Sequence, residues 1–266
     1  MKQRILTAII ALPLLLLIIQ FSSPFWFTLF TSLVAAVALY EFYHMSLADN
    51  RKPERVLAIV YGALLVPLCA VQQVLALQAG LVLGMILFGL IFLWRFGELE
   101  LVVQQLALLL FGFIYVPLLL GHLVLLRTLP FGREWIYLVL LIVMASDTGA
   151  YFSGISLGRH KLYPAISPNK SVEGAIGGLL GGLLAAFVAR YTFFPALDVV
   201  DCLLLGLGLG AMSQLGDLFE SMLKRSFGVK DSGTIIPGHG GILDRLDSLL
   251  LAFPLAFYYG WYILGR

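Results

Sequence analysis

The sequence predicts an all-α integral membrane protein with nine transmembrane helices. Of its 266 residues, 61% are hydrophobic and only 12% are charged, whereas a soluble domain carries about 25% charged residues. The apolar residues form nine runs, most of them close to the roughly 20 residues that a helix needs to cross a bilayer. So little polar surface cannot cover a water-soluble protein of this size, and most of the apolar surface therefore faces lipid.

The nine predicted spans follow one another without long linkers, low-complexity segments or insertions of domain size. Their approximate bounds are 5–21, 25–47, 56–72, 78–94, 102–126, 135–154, 173–194, 199–223 and 248–264. We therefore expect one polytopic domain, with spans one to five in residues 1–134 and spans six to nine in residues 135–266. The basic start resembles that of a secretory signal, but no Ala-x-Ala-like cleavage site follows, so we expect the first span to be retained.

The distribution of cationic residues predicts the orientation of these spans, because short cytoplasmic loops collect lysine and arginine. With a cytoplasmic N-terminus, nine spans place 13 of the 17 lysines and arginines on the cytoplasmic side. The outer side receives Arg127, Arg133, Arg190 and Arg266. A wrong number of spans would scramble this alternation. We therefore expect the N-terminus to be cytoplasmic and the C-terminus to lie on the outer or periplasmic side of the membrane.

Three other features of the sequence, its net charge, its cysteines and one glycine-rich run, give no sign of a functional site. The net charge of +2, without a basic tail, excludes a typical nucleic-acid-binding protein. Cys69 and Cys202 lie in apolar runs without the spacing of metal ligands, as expected for buried thiols that behave as small apolar groups. The glycines of 206–210 are similar to a nucleotide loop, but no strand precedes them, so helix packing is the better interpretation.

Carboxylates inside the predicted spans are the first sign of function. Asp147 lies in the otherwise apolar stretch 138–152, and Asp217 and Glu220 lie in the eighth span. Such groups cost several kcal/mol unless they are paired, hydrated or bound to a metal. A structural hydrogen bond to a neighbouring helix is the alternative. Asp217 precedes Lys224 by seven residues, about 10 Å of helix, which water and ions can reach from the cytoplasm.

The segment from Ser221 to Asp247, between spans eight and nine, concentrates polar chemistry. Its charged residues are Lys224, Arg225, Lys230, Asp231, Asp244, Arg245 and Asp247, and it also holds His239. The glycines at 238, 240 and 241 let backbone N–H groups turn towards an anion. Asp244 and Asp247 share one helix face. Mg²⁺ prefers carboxylates together with substrate phosphates, and phosphates attract lysine and arginine, so one segment meets both requirements.

Each of these residues also has a structural explanation. Asp247 could cap the ninth helix, Lys224 and Arg225 could be topology charges that face lipid phosphates, and His239 could be an ordinary loop residue. A second cytoplasmic segment supports a site: Ser167, Asn169 and Lys170 are candidate phosphate or base contacts. There, Lys170 could instead be a topology charge, and the neighbouring serine at 171 a helix cap.

Four sequence elements resemble those of one enzyme family. The residues Ser221–Asp247 read S-x-x-K-R-x4-K-D-x-G-x2-I-P-G-H-G-G-x2-D-R-x-D. Upstream, Asp147–Tyr151 read D-T-x-A-Y, Ser167–Gly174 read S-P-x-K-[ST]-x-E-G, and a Gly-Asp pair stands at 216–217. These patterns closely resemble the phosphatidate cytidylyltransferases, also called CDP-diacylglycerol synthases. The motifs cover the C-terminal half, and the hydropathy is similar over the whole length.

The resemblance implies an integral membrane enzyme of phospholipid biosynthesis. Such an enzyme transfers CMP from CTP to phosphatidic acid, yields CDP-diacylglycerol and pyrophosphate, and uses Mg²⁺ together with a second, monovalent cation, potassium. It also implies a homodimer in a bacterial inner membrane, with the active site at the cytoplasmic face.

The same resemblance assigns roles to individual residues. Asp217 and Asp244 are implied to be metal ligands, with Asp247 close by. The implied phosphate-binding, catalytic set is Lys224, Arg225, Lys230, His239 and Arg245. Beside these, the residues expected to bind the nucleotide or its cations are Ser167, Asn169, Lys170, Ser221 and Asp147.

Other functions stay open at this point. The nearest alternatives are a CTP-dependent lipid kinase and a cytidylyltransferase for another lipid phosphate. A cation-coupled transporter could also place Asp147 and Asp217 in its spans. A transporter has little use for a loop of lysine, arginine, histidine and glycine, however, and no inverted repeats around two broken helices are evident.

Overall fold

Helices account for most of the structure. The computed structural model describes residues 2–71, 74–95, 97–236, 238 and 240–264. Its helices are α1 (Lys2–Phe21), α2 (Pro24–Ser46), α3 (Lys52–Ala70), α4 (Val74–Trp94), α5 (Leu99–Phe113), α6 (Leu119–Thr128), α7 (Gly132–Leu157), α8 (Val172–Thr192), α9 (Val199–Ser226) and α10 (Leu243–Tyr259). A short 3₁₀ turn, Asp49–Arg51, joins α2 to α3.

The structure confirms the predicted all-α membrane fold. In the described part of the chain, eight helices are long and apolar enough to cross a membrane. The fourth of these spans, Leu99–Thr128, contains α5 and α6, joined by a π turn at Ile114–Leu118. This turn contains Pro117, whose missing N–H interrupts the regular helical hydrogen bonding. Helix α1, whose described apolar part is Ala11–Phe21, coincides with the first predicted span.

Several helices extend further than hydropathy predicts, among them α7, α9 and α10. Helix α7 continues to Leu157, α9 continues to Ser226, and α10 begins at Leu243 rather than near residue 248. Hydropathy marks the part of a helix that lies in hydrocarbon, whereas backbone hydrogen bonding carries the helix on into polar surroundings. The extensions of α9 and α10 hold five of the thirteen predicted site residues: Lys224, Arg225, Asp244, Arg245 and Asp247.

The sequence analysis did not predict the small antiparallel hairpin between α7 and α8. Its strands are β1 (Lys161–Tyr163) and β2 (Ser167–Ser171), and Lys161 pairs with Ser171. Their polar side chains give no alternating apolar pattern, which is the signal by which a strand is recognised in sequence.

The chain forms two compact units. The first contains the residues up to Leu125 together with Asp231–Asp244, and the second contains Leu126–Lys230 together with the residues from Arg245 onward. In the first unit, the buried ring of Tyr43 contacts that of Phe42, and its hydroxyl donates to the backbone oxygen of Leu109 at 2.7 Å. The 231–244 segment therefore belongs structurally with the N-terminal spans, although it lies far from them in sequence.

Glycines bring the helices of the second unit close together, as the sequence predicts. A β-carbon on Gly178 of α8 would lie 3.0 Å from the backbone oxygen of Ser146 in α7. One on Gly182 would lie 2.8 Å from the backbone oxygen of Gly206 in α9. A side chain at these glycines would push the backbones apart. The glycines at 206–210 thus serve helix packing in the structure.

Candidate active site

Asp217 is held by a cation and a hydroxyl inside an apolar helix. It lies in α9, nine residues before the helix ends at Ser226. Lys170 Nζ lies 2.7 Å from Asp217 Oδ2, and the Ser221 hydroxyl donates to Oδ1 at 3.3 Å. The side chains of Asp217 and Lys170 are 35% and 26% exposed, respectively. This carboxylate is therefore accessible to a ligand and already attracts positive charge.

Two further carboxylates from neighbouring helices share this electrostatic environment. Asp147 of α7 accepts a hydrogen bond from the Ser213 hydroxyl of α9 at 3.3 Å. The charges of Asp217, Lys170 and Arg245 act on Asp147. Those of Asp217, Asp147 and Lys224 act on Asp247 in α10. We call Asp147, Asp217 and Asp247 the acidic cluster. It draws one residue from each of three helices.

Gly216 brings α9 against the first turns of α10. A β-carbon at Gly216 would overlap the backbone oxygen of Asp247. Only glycine permits this approach, which sets Asp247 beside the helix that carries Asp217. In this Gly-Asp pair, Gly216 thus allows the two helices to pack closely, and Asp217 supplies a carboxylate to the candidate site.

The hairpin places Lys170 beside Asp217. Ser171 follows Lys170 in β2 and caps α8, because its hydroxyl accepts from the backbone N–H of Gly174 at 3.1 Å. The Glu173 carboxylate accepts from the backbone N–H of Arg159 at 3.0 Å, and His160 Nδ1 lies 2.6 Å from Glu173 Oε1. Both ends of the hairpin are thereby tied to the first turn of α8. The predicted cap at residue 171 is confirmed.

Lys224 lies in the last turns of α9 with a buried partner. Its Nζ is 3.1 Å from Glu220 Oε1, and the two side chains are 11% and 0% exposed. Glu220 and Lys224 are four residues apart, on one face of the helix. Lys224 is therefore more than a topology charge at the membrane surface. Arg225 is exposed and donates to the backbone oxygen of Val229 at 3.1 Å.

The segment Asp231–Asp244 is folded around two carboxylates. Asp244 Oδ2 accepts from the backbone N–H groups of Ser232, at 3.0 Å, and Gly241, at 2.8 Å. Behind it lies Glu41 of α2, which is 1% exposed and accepts from the backbone N–H of Leu243 at 2.8 Å. Glu41 is not among the site residues that the sequence predicts. A lone carboxylate near the end of a predicted span was its only signal, and nothing local connects it to a loop 202 residues away.

The remaining predicted site residues differ in their exposure and in their place in the fold. In β2, Ser167 is half-buried and Asn169 is exposed; Lys230 and Arg245 are also exposed. Asp247 lies inside α10 rather than at its cap position. His239 lies outside the described residues, so its role stays a prediction. The roles of the other site residues stay predictions as well.

The acidic cluster suits a divalent cation in its chemistry. Among the described residues, no three His, Cys, Asp or Glu side chains are grouped as a ready-made metal cage. Mg²⁺ does not require one, because it binds through one or two carboxylates and completes its shell with water and substrate phosphates. The Lys170 ammonium on Asp217 occupies the kind of position that a cation would take. Asp217 is thus the best-supported candidate ligand.

Comparison with known proteins identifies the family. The sequence pattern of the cytidylyltransferase family matches residues 2–263. A phosphatidate cytidylyltransferase from Staphylococcus epidermidis is 37% identical over 96% of this chain and 97% of its own. One from Staphylococcus haemolyticus is 38% identical over 96% and 97%, and one from Bacillus subtilis is 35% identical over 97% of both. The chain therefore belongs to the cytidylyltransferase family and is an integral membrane nucleotidyltransferase.

Proposed function

We propose that this protein transfers CMP from CTP to phosphatidic acid, giving CDP-diacylglycerol and pyrophosphate. The observation that carries the proposal is Asp217, a carboxylate within an apolar helix that binds Lys170 beside two further carboxylates. A site that combines acidic and basic groups at the polar end of membrane helices suits a nucleoside triphosphate and a lipid phosphate. The names of the similar bacterial proteins point to the same pair of substrates.

The reaction needs little help from a general base. The second pKa of a phosphate monoester is about 6, so the headgroup of phosphatidic acid is largely dianionic at neutral pH. One of its oxygens attacks the α-phosphorus of CTP. The bond from that phosphorus to the oxygen bridging to the β-phosphate then breaks, and pyrophosphate departs with the electron pair. Two polyanions must meet in line, so catalysis consists chiefly of positioning and charge neutralisation.

Lysine and arginine side chains of the second unit perform this positioning. Lys170 lies at the acidic cluster, and Lys224 is held against Glu220 at 3.1 Å. Arg225, Lys230 and Arg245 are exposed and can reach towards phosphates. Ser167 and Asn169 lie on the same strand as Lys170 and supply polar groups for the nucleotide.

One or two of the predicted ligands Asp217, Asp244 and Asp247 would hold Mg²⁺, with potassium as a second cation. When bound, Mg²⁺ neutralises charge on the triphosphate and on the departing pyrophosphate. Asp244 keeps its orientation through backbone N–H donors of its own loop, at 2.8 and 3.0 Å. Ser221 holds Asp217 from one turn further along α9. These contacts fix both carboxylates before any ligand arrives.

The experiment that tests this function follows two differently labelled phosphates. Purified protein in mixed micelles with phosphatidic acid is given CTP labelled at either the α- or the γ-phosphate. We expect the α-label in a CDP-lipid and the γ-label in free pyrophosphate. A γ-label in lipid with free CDP would identify a lipid kinase instead. Transfer to another lipid phosphate, with none to phosphatidic acid, would contradict the proposed substrate.

We further propose that the protein is a homodimer in a bacterial inner membrane and that its site faces the cytoplasm. The asymmetry of lysine and arginine along the sequence supports the cytoplasmic location of the site, whereas the homodimer follows from the family resemblance alone. A cytoplasmic site receives CTP from water while the acyl chains of phosphatidic acid stay in the bilayer. Cross-linking of the purified protein in lipid would test the dimer, and recovery of the monomer alone would contradict it.

Two cysteine substitutions test the orientation. Ser226→Cys, at the exposed end of α9, should react with an impermeant maleimide only in inverted vesicles. Thr192→Cys, at the exposed end of α8, should react only in right-side-out cells or vesicles. Wild-type protein is the background control, because Cys69 and Cys202 are both buried. The opposite labelling pattern would overturn the cytoplasmic location of the site.

A further inference from the structure

Glu41 is a buried carboxylate whose hydrogen bonds all converge on the 231–244 loop. Its Oε1 accepts from the backbone N–H of Ile242 at 3.0 Å. Its Oε2 accepts from the backbone N–H of Leu243 at 2.8 Å and from the Ser232 hydroxyl at 3.2 Å. The residue is 1% exposed. A buried charge is stable only with such a set of donors.

This carboxylate acts as the cap of α10. The first N–H groups of a helix have no partner within the helix, and a nearby side-chain oxygen usually accepts from them. Helix α10 begins at Leu243, and Glu41 from α2 accepts from that residue and from the one before it. The negative charge also suits the positive end of the helix dipole. The cap thus comes from α2, which belongs to the same unit as the first two residues of α10.

Ser232 connects Glu41 to Asp244. Its hydroxyl donates to Glu41 Oε2 and accepts from the backbone N–H of Asp244 at 3.3 Å. In return, Asp244 Oδ2 accepts from the backbone N–H of Ser232 at 3.0 Å. Glu41 therefore fixes both the start of α10 and the loop residue that orients the Asp244 carboxylate.

The loop is closely fitted to this carboxylate. A β-carbon at Gly233 would lie 2.6 Å from Glu41 Oε1, and one at Gly241 would overlap both Glu41 and Ser232. Only residues without side chains leave room for the carboxylate at these two positions. The glycines in this part of the loop therefore make space for Glu41, besides any role near an anion.

We propose that Glu41 is a positioning residue for nucleotide binding: through Ser232 and the start of α10 it holds Asp244 in the orientation that the CTP–Mg²⁺ substrate requires. This inference rests on the proposed function, because it takes Asp244 as part of the substrate site. Glu41 itself does not touch the substrate. Substitution of Glu41 should therefore weaken nucleotide binding in protein that is still folded.

The test compares two buried carboxylates of the first unit. Glu41→Gln places an amide NH₂ among N–H donors that need an acceptor. Glu54→Gln is the matched control: Glu54 is 2% exposed and lies 3.4 Å from Arg51 Nη1, but it makes no hydrogen bond to the described residues of the 231–244 loop. Thermal unfolding of each variant is measured alone, with Mg²⁺ and with Mg²⁺ plus CTP. KM for CTP and kcat are measured below the unfolding transition.

Both variants should lose thermal stability in the absence of ligands. We expect only Glu41→Gln to lose the increase in Tm that Mg²⁺ plus CTP causes, with a rise of about 10-fold in KM for CTP, as for a partner of a metal ligand. An unchanged ligand response in Glu41→Gln, or an equal loss in both variants, would overturn the proposal. Wild-type stabilisation by CTP without formation of a CDP-lipid would instead contradict the proposed function alone.

Ser232→Ala keeps the test decisive if Glu41→Gln does not fold. This change removes the hydroxyl between Glu41 and Asp244 but leaves the N–H groups of Ile242 and Leu243 on the Glu41 carboxylate. It should shift KM for CTP in the same direction, by a smaller factor, at nearly normal stability. A wild-type KM in this variant would contradict the link from Glu41 to Asp244.

Discussion

Replacement of Asp217 by asparagine should abolish transfer of CMP while leaving the protein folded in the membrane. The change removes the charge that faces Lys170 at 2.7 Å and an oxygen that suits a divalent cation. Loss of a partner of a metal ligand costs about 10–100-fold, so loss of a ligand itself should reduce kcat/KM by at least about 100-fold. Turnover of α-labelled CTP into CDP-lipid measures the effect.

Stability should change little in Asp217→Asn. The ion pair with Lys170 is partly exposed, and such pairs contribute about 0–1 kcal/mol. Asp198→Asn is the matched control on the same helix. Asp198 caps α9 by accepting from the backbone N–H of Asp201 at 2.7 Å, and asparagine caps equally well. Activity in Asp217→Asn above half of wild type would contradict the role of Asp217 as a metal ligand.

Replacement of Lys224 by methionine should reduce both stability and activity. It removes the cation that lies 3.1 Å from the fully buried carboxylate of Glu220. Removal of one partner of a buried ion pair typically costs about 3–5 kcal/mol. Activity should fall as well, since the cation is proposed to hold a substrate phosphate. Thermal unfolding in detergent and the rate of CDP-lipid formation separate the two effects.

A second substitution distinguishes the structural from the chemical role of Lys224. The double variant Glu220→Gln with Lys224→Met removes both charges, and we expect it to regain most of the stability but not the activity. Glu220→Gln alone keeps the cation and should retain activity within a few-fold of wild type at temperatures where it is folded. Restored turnover in the double variant would show that Lys224 serves only to neutralise Glu220.

Several contacts in the candidate site were predictable because they are local. Asp217 and Ser221 are four residues apart, as are Glu220 and Lys224, so a helix brings each pair together. Ser171 before an apolar run predicts a helix cap, and the structure has that cap. The bond between Ser213 and Asp147 joins residues 66 apart, and no local rule predicts it.

The sequence by itself determined the fold class, the approximate spans and the chemical character of the loops. Hydrophobic runs long enough for a bilayer and the placement of charges along the chain carry this information. The motif residues also identified the family, because a family is recognised by the order and spacing of such residues along the chain.

Only the tertiary structure decided which distant groups meet. It gathered Asp147, Asp217 and Asp247 from three helices, and it paired Lys170 with Asp217 through a hairpin whose polar strands carry no periodic signal. It also placed Glu41 under a loop 202 residues away. The physical reason is that a buried charge takes whichever donors the packed backbone brings to it, and that arrangement exists only once the helices have packed.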